Sequence, residues 1–143
     1  MTHSIRDIGI AKQIGSYSVA IETAPNFRGP YTSGTPGLAA SGDLPDDITG
    51  QAELAGAHVV RMLKLANMTL ADLVKVTQYL TSAQDITAYA KVRKRFLNDV
   101  RSAFMLLVVP QRVRPEFLLE IEVIAASRET SRSLPCRNTS YCN

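Results

Sequence analysis

The segment LLEIEVIA, at positions 118–125, constrains the fold more than any other part of the sequence. Side chains of a strand alternate between its two faces. One face of this segment is wholly apolar and is formed by Leu119, Ile121, Val123 and Ala125. The opposite face is mixed and is formed by Leu118, Glu120, Glu122 and Ile124. The pattern therefore predicts a strand with one face in a core and two carboxylates on the other face.

The rest of the chain predicts the order β-β-α-β-α-β-β. Hydrophobic periodicity places strands over 16–23, 31–34, 72–80, 103–109 and 117–126. Capping residues and apolar stripes place helices from Asp46 or Asp47 to Ala66 and over 85–97, with a short capped turn at 69–72. This order predicts an α+β fold in which two helices cover one face of a mixed sheet. With no third helix for the second face, we expect self-association and binding sites between subunits.

Residues 1–126 are predicted to form one domain, followed by a tail over 127–143. The tail is polar and rich in serine and arginine, so we expect it to be disordered or a cloning remnant. Both cysteines, Cys136 and Cys142, lie in it and could pair if oxidised. They do not form a disulfide framework or a zinc motif, and two histidines are too few for a histidine-rich metal centre.

The charge and hydropathy of the chain argue against two classes of partner. The net charge is +3, and the tail supplies +2 of it through three arginines and one glutamate. The body is then near neutral, which argues against a nucleic-acid-binding surface. The longest apolar run, Ala103–Val109, is far shorter than the roughly 20 residues of a membrane helix. The N-terminus lacks the apolar segment of a secretory signal, so we expect the protein to be located in the cytoplasm.

Arg101 stands at the beginning of the apolar run 103–109, which by itself predicts a buried strand. Its strand neighbours include no acidic residue that could pair with it. Considered alone, such an arginine is most often a surface residue at a strand end.

Several segments together resemble the RidA/YjgF family of enamine/imine deaminases. They are IGSY at 14–17, YTSG at 31–34, DLVKVTQYL at 72–80, RS at 101–102 and LEIEVIA at 119–125. They occur in the family's order and rough spacing over about residues 8–126. The resemblance implies a chorismate-mutase-like fold and a barrel-like homotrimer with three clefts between subunits. It also implies hydrolysis of 2-aminoacrylate-type acids to 2-keto acids and ammonia, without a metal or an organic cofactor.

The resemblance also implies roles for particular residues. Arg101 would bind the substrate carboxylate, as a guanidinium does through two parallel hydrogen bonds. Glu120 would position the attacking water and exchange its proton. Tyr17 would line the pocket wall. The substrate would also lie beside the backbone of Ser33 and Gly34 and beside Thr35, which replaces a common glutamine.

Other departures from the family keep alternative functions open. Asp99 replaces a proline, Ala90 an asparagine and Ala103 a cysteine, and the connection before Arg101 is shorter than usual. One alternative is a pathway-specific deaminase of 2-aminomuconate-like substrates, with which Thr35 is compatible. Another is a non-catalytic trimer that binds small carboxylates. RNA cleavage, a third, is disfavoured by the near-neutral body and the lack of a catalytic histidine pair.

Overall fold

The computed structural model describes residues 3–14, 17–18 and 20–128. The strands are β1 (Ser4–Arg6), β2 (Ala20–Glu22), β3 (Phe27–Arg28), β4 (Leu73–Leu80), β5 (Ala103–Val108), β6 (Leu119–Ala125) and β7 (Ser127–Arg128). The helices are α1 (Ala11–Ile14), α2 (Ile48–Leu65) and α3 (Ile86–Leu97). Single 3₁₀ turns precede β4 and α3.

A mixed sheet of order β5-β4-β6 forms the centre of the fold. Strand β4 runs parallel to β5 and antiparallel to β6, so the predicted mixed sheet is confirmed. The segment 30–35 lies along the other edge of β6, where Thr35 exchanges two backbone hydrogen bonds with Ile121. Of the strand predicted over 31–34, the structure has an isolated bridge at Tyr31 and a backbone hydrogen bond from Thr32 to Val123, and Thr35 forms a second bridge just beyond it. A proline at position 30 limits regular pairing there.

Helices α2 and α3 pack on one face of this sheet, as the sequence predicts. Helix α2 begins where the Asp47 side chain accepts a hydrogen bond from the Gly50 backbone N–H over 2.7 Å. Because its apolar residues recur at helical spacing, they form a stripe that faces β6. The shared core contains Ala52, Val59 and Leu63 of α2, Tyr89 and Val92 of α3, and the apolar face of β6.

Strict alternation along β4 would place Val74 on the same face as the buried Val76, Gln78 and Leu80, but Val74 is only half-buried. A β-bulge shifts the register between Leu73 and Lys75, and it is Leu73 that enters the core. A bulge adds one residue to a strand and reverses the side-chain alternation beyond it. The alternation in the sequence gives no sign of this insertion.

Strand β5 is not the buried strand that its apolar run predicts. Met105 is 49% exposed and Val108 is 46% exposed. Because β5 is an edge strand, Met105 lies on the face that the helices of the described residues leave uncovered, and Val108 is exposed at the end of the strand. Helices on one side of an open sheet cannot bury every residue of an all-apolar strand.

Three short strands lie outside the predicted set. Strand β1 pairs with β2, which is all that the structure describes of the strand predicted over 16–23. Strand β3 pairs with β7, so Ser127 and Arg128 of the predicted tail are paired with the body of the domain. Residues 129–143 lie outside the described part, and so do both cysteines. No helix among the described residues is long and apolar enough to cross a membrane.

Candidate functional site

Glu120 lies on the face of the central sheet opposite the helices, where an ion pair holds it. Its side chain is 9% exposed, and that of its partner Arg112 is 22% exposed. Arg112 donates Nε to Oε2 of Glu120 over 2.9 Å, and its Nη2 contacts the same oxygen. Since both bonds end on Oε2, the other carboxylate oxygen is left for water or a ligand.

Two further side chains extend this polar group across β4. The Arg112 guanidinium lies over the Tyr79 ring, 4.7 Å from its centroid. The Tyr79 hydroxyl donates to Oε1 of Glu122 over 3.0 Å. This hydrogen bond is the main reason that the pKa of Tyr79 is raised above its ordinary value. Arg112, Glu120, Tyr79 and Glu122 are named the Glu120 cluster below.

The predicted backbone segment at 33–35 lies against Glu120. A Cβ added to Gly34 would come within 2.7 Å of Oε2 of Glu120, so a side chain at position 34 would displace the carboxylate. Thr35 is fixed by its two bonds to Ile121, and its hydroxyl donates to the Ser33 carbonyl over 3.2 Å. Of the predicted residues 33–35, Gly34 is thus the one that lies against Glu120, and Ser33 and Thr35 adjoin it in the chain.

Arg101 lies elsewhere, at the beginning of β5, with its backbone fixed and its side chain exposed. Its carbonyl accepts a hydrogen bond from the Ser18 hydroxyl, and the Ser18 N–H donates to the Ser102 carbonyl over 3.0 Å. The buried Ser102 hydroxyl donates to the Leu73 carbonyl over 3.0 Å. Tyr17, which is half-buried, directly precedes Ser18 in the chain. Arg101, Tyr17, Ser18 and Ser102 are named the Arg101 cluster below.

Within one chain the two clusters do not meet. Ala103 pairs with Lys75 of β4, and Glu120 pairs with Tyr79. Arg101 lies two residues before Ala103, so it is about six residues, or ~20 Å, from Glu120 along the sheet. Strands β5 and β6 also flank β4 on opposite sides, which adds about 10 Å across the sheet. A short organic acid cannot touch both side chains of one chain.

Two cavities of similar size meet at Arg101. One, of about 440 Å³, has a mostly apolar lining that includes Ile21, Leu70 and Phe96. The other, of about 450 Å³, lies between α3 and the start of β5 and has a basic lining. A ligand held by Arg101 can therefore occupy space on either side of it.

Arg112 is the site residue that sequence reasoning missed. It lies in the connection between β5 and β6, where charged residues are usually solvated, and nothing in the local sequence marks it. His58 is half-buried, and its Nε2 lies 2.8 Å from the Leu38 carbonyl. Among the described residues, no group of three or more His, Cys, Asp or Glu side chains is arranged to hold a metal ion.

Comparison with known proteins identifies the family. The model of the family described as Endoribonuclease L-PSP matches residues 10–127. The 2-iminobutanoate/2-iminopropanoate deaminase of Escherichia coli K12 is 25% identical over 127 residues, which are 79% of this chain and 99% of the relative.

Solved structures show the same fold. A Rid family protein from Yersinia pestis matches with a TM-score of 0.76 at 23% identity, covering 89% of this chain and 100% of that one. Escherichia coli TdcF, solved with bound serine, matches with a TM-score of 0.66 at 24% identity, covering 80% and 90%. Since the family match spans most of the sequence, the chain belongs to the Endoribonuclease L-PSP family, the RidA/YjgF family that its motifs resemble.

Proposed function

We propose that the protein is an enamine/imine deaminase that hydrolyses 2-aminoacrylate-type acids to 2-keto acids and ammonia. The observation that carries the proposal is the state of Glu120. This carboxylate is nearly buried, it is held by Oε2 alone, and it lies beside a glycine that leaves room for it. The relative named 2-iminobutanoate/2-iminopropanoate deaminase supports the reaction class. The serine in the TdcF structure supports a small ligand with a carboxylate.

In the proposed reaction, Arg101 binds the carboxylate of the substrate through two N–H donors. An enamine first gains a proton at its terminal carbon and becomes an imine. Glu120 takes a proton from water through Oε1 as the water oxygen adds to the imine carbon. Glu120 then passes this proton to the nitrogen. The carbon–nitrogen bond breaks and ammonia leaves, while the new hydroxyl group loses its own proton and becomes the carbonyl. Every step is a proton transfer, an addition or an elimination, so the proposed mechanism uses no organic cofactor and no metal.

The site is proposed to form between copies of the chain, where the Arg101 cluster of one faces the Glu120 cluster of the next. Apolar residues on the uncovered face of the sheet support such an assembly, since Tyr31 is 79% exposed and Met105 is 49% exposed. A head-to-tail contact closes into a ring when the rotation between successive copies closes, and otherwise it gives an open filament. We propose a homotrimer with a chorismate-mutase-like fold, a barrel-like centre and three clefts. Localisation of the protein in the cytoplasm stays a prediction.

The deaminase activity can be tested directly. 2-Aminoacrylate is generated by a pyridoxal-phosphate enzyme, and the loss of its absorbance is followed with and without the protein. We expect faster loss with the wild-type protein and no acceleration with Glu120→Gln. Equal rates with and without wild-type protein would contradict the proposal.

A mixing experiment tests where the site lies. Arg101→Ala and Glu120→Gln subunits are unfolded, mixed in equal amounts and refolded together. If the two clusters meet between copies, about a quarter of the clefts regain both residues, with about that share of wild-type activity. A site within one chain would give no recovery.

A non-catalytic trimer that binds small carboxylates is the second candidate. It is favoured by Ala90 and Ala103, which supply no polar group at positions where the family often has one. Binding of pyruvate that is lost in Arg101→Ala, without turnover of any imine, would support it. RNA cleavage has less support, because Nε2 of both histidines lies about 3 Å from a backbone carbonyl.

A further inference from the structure

The basic cavity of about 450 Å³ holds more positive charge than its own residues neutralise. Three cations line it, namely Arg93, Lys94 and Arg101, against the single carboxylate of Asp99. None of the three cations has a carboxylate within ion-pair distance among the described residues. A cavity with this lining fits an anionic ligand.

Arg93 is the cation in this cavity that most needs a counter-ion. It is half-buried, and its guanidinium lies 5.5 Å from the centroid of the Phe104 ring. Its polar contact is a long hydrogen bond of 3.4 Å from Nη1 to Oε1 of Gln78, an oxygen that also accepts from the Tyr89 hydroxyl. Removing a charged group from water is costly unless an opposite charge compensates it.

A nearby arginine shows the usual arrangement. Arg95 lies two residues further along α3 and donates Nη2 to Oε1 of Glu53 over 2.8 Å. Arg95 is therefore neutralised within the chain, whereas Arg93 is not. The difference makes Arg95 a matched control on the same helix.

We propose that Arg93, supported by Lys94, binds a second acidic group of the ligand, so that the protein acts on short dicarboxylates. The inference rests on the proposed function, in which Arg101 binds the carboxylate next to the imine. Because both arginines line the same cavity, a linear acid with a carboxylate at each end can reach both. A cavity of about 450 Å³ also exceeds the needs of a three-carbon acid and lies in the usual range for ligand sites.

Calorimetry with non-reactive keto acids tests this proposal without requiring turnover. The probes are 2-oxoglutarate, with two carboxylates, and 2-oxobutanoate, with one. We expect the wild-type protein to bind 2-oxoglutarate about tenfold more tightly, as one added charge-assisted bidentate contact predicts. Arg93→Met should remove this preference while leaving the affinity for 2-oxobutanoate unchanged. Arg101→Met should weaken the binding of both ligands, and Arg95→Met should change the binding of neither.

Two outcomes overturn the proposal. One is equal affinity of the wild-type protein for both probes, including no binding of either. The other is an Arg93→Met protein that still prefers 2-oxoglutarate. If the oligomeric state of this variant is also altered, the counter-ion of Arg93 is a carboxylate of another copy. If Arg93→Met does not fold, Lys94→Met on the exposed side of the cavity should still lower the preference for 2-oxoglutarate.

The binding data separate this inference from the proposed function. A protein that prefers 2-oxoglutarate through Arg93 but hydrolyses no imine contradicts the deaminase proposal alone. A protein that hydrolyses 2-aminoacrylate and binds both probes equally contradicts the dicarboxylate inference alone.

Discussion

Arg112 donates Nε to Oε2 of Glu120 over 2.9 Å, and the two side chains form an ion pair on the side of the sheet that the helices leave uncovered. The arginine comes from the connection between β5 and β6, and the glutamate from β6 itself. The contact therefore fixes the connection and the proposed catalytic carboxylate at once. Because it uses one oxygen of the carboxylate, it leaves the other for chemistry.

The first prediction concerns the stability of this pair. Arg112→Met leaves a nearly buried carboxylate without its cation, which should lower the free energy of unfolding by about 3 kcal/mol. The double variant Arg112→Met/Glu120→Gln should lose about 1 kcal/mol less than the sum of the two single variants. Urea unfolding of the four proteins measures both effects. Strict additivity would show that the pair is not coupled.

The second prediction separates positioning from binding. Arg112→Lys keeps the positive charge but loses the planar guanidinium that orients Glu120, so kcat should fall about tenfold with little change in KM. Arg114→Lys is the matched control, since Arg114 lies on the same connection and pairs with the exposed Glu116. Steady-state kinetics with an imine substrate distinguish the two variants. An equal effect of both would remove any special role of Arg112.

The third prediction concerns the glycine beside Glu120. Gly34→Ala brings a methyl group within 2.7 Å of Oε2 of Glu120, the flexible end of a side chain. We expect a folded protein with at least about tenfold lower kcat, because the carboxylate must move. Gly37→Ala is the contrast, since its Cβ would lie 2.2 Å from the Gln51 backbone oxygen and should destabilise the fold itself. Activity and urea unfolding are measured for both, and a fully active Gly34→Ala protein would contradict the contact.

The fourth prediction is a loss of stability at alkaline pH. Burial raises the pKa of Tyr89 well above its ordinary value, so the folded protein holds this proton more tightly than the unfolded chain does. The stabilisation is complete below about pH 10 and is lost as the pH rises toward the folded-state pKa. The slope for one proton reaches about 1.4 kcal/mol per pH unit.

Urea unfolding from about pH 8 to about pH 11 measures this slope. Tyr89→Phe should reduce it, at a cost of about 1 kcal/mol at neutral pH for the lost hydrogen bond to Gln78. Tyr31→Phe, at a residue that is 79% exposed, should keep the wild-type slope. A slope unchanged in Tyr89→Phe would assign the titration to another group.

The long elements were predictable because each carries a repeated local pattern. Helix α2 has an aspartate cap and an apolar stripe, and β6 alternates over its whole length. Strands of two or three residues such as β3 and β7 carry no such pattern, since they exist only through pairing with a distant part of the chain. The bulge at Val74 is equally invisible, because one inserted residue leaves the composition of β4 unchanged.

The sequence indicates which residues are candidates for the site, but it does not indicate how they are arranged in space. The family resemblance selects Arg101 and Glu120, whose roles stay predictions, and it gives no sign that Arg112 neutralises Glu120. The distance between the two follows from strand order, which the sequence leaves open. The order β5-β4-β6 places the two residues on strands on opposite sides of β4, and this separation is the reason that the cleft is proposed to form between copies.

The separation of the Arg101 and Glu120 clusters has a consequence for how damage spreads in the proposed ring. Every chain would contribute to two clefts, with its Arg101 in one and its Glu120 in the other. In the proposed trimer, a defect in one cluster would inactivate one of three clefts, whereas a misfolded chain would inactivate two. A preparation in which some chains are damaged would therefore lose active clefts faster than it loses intact chains.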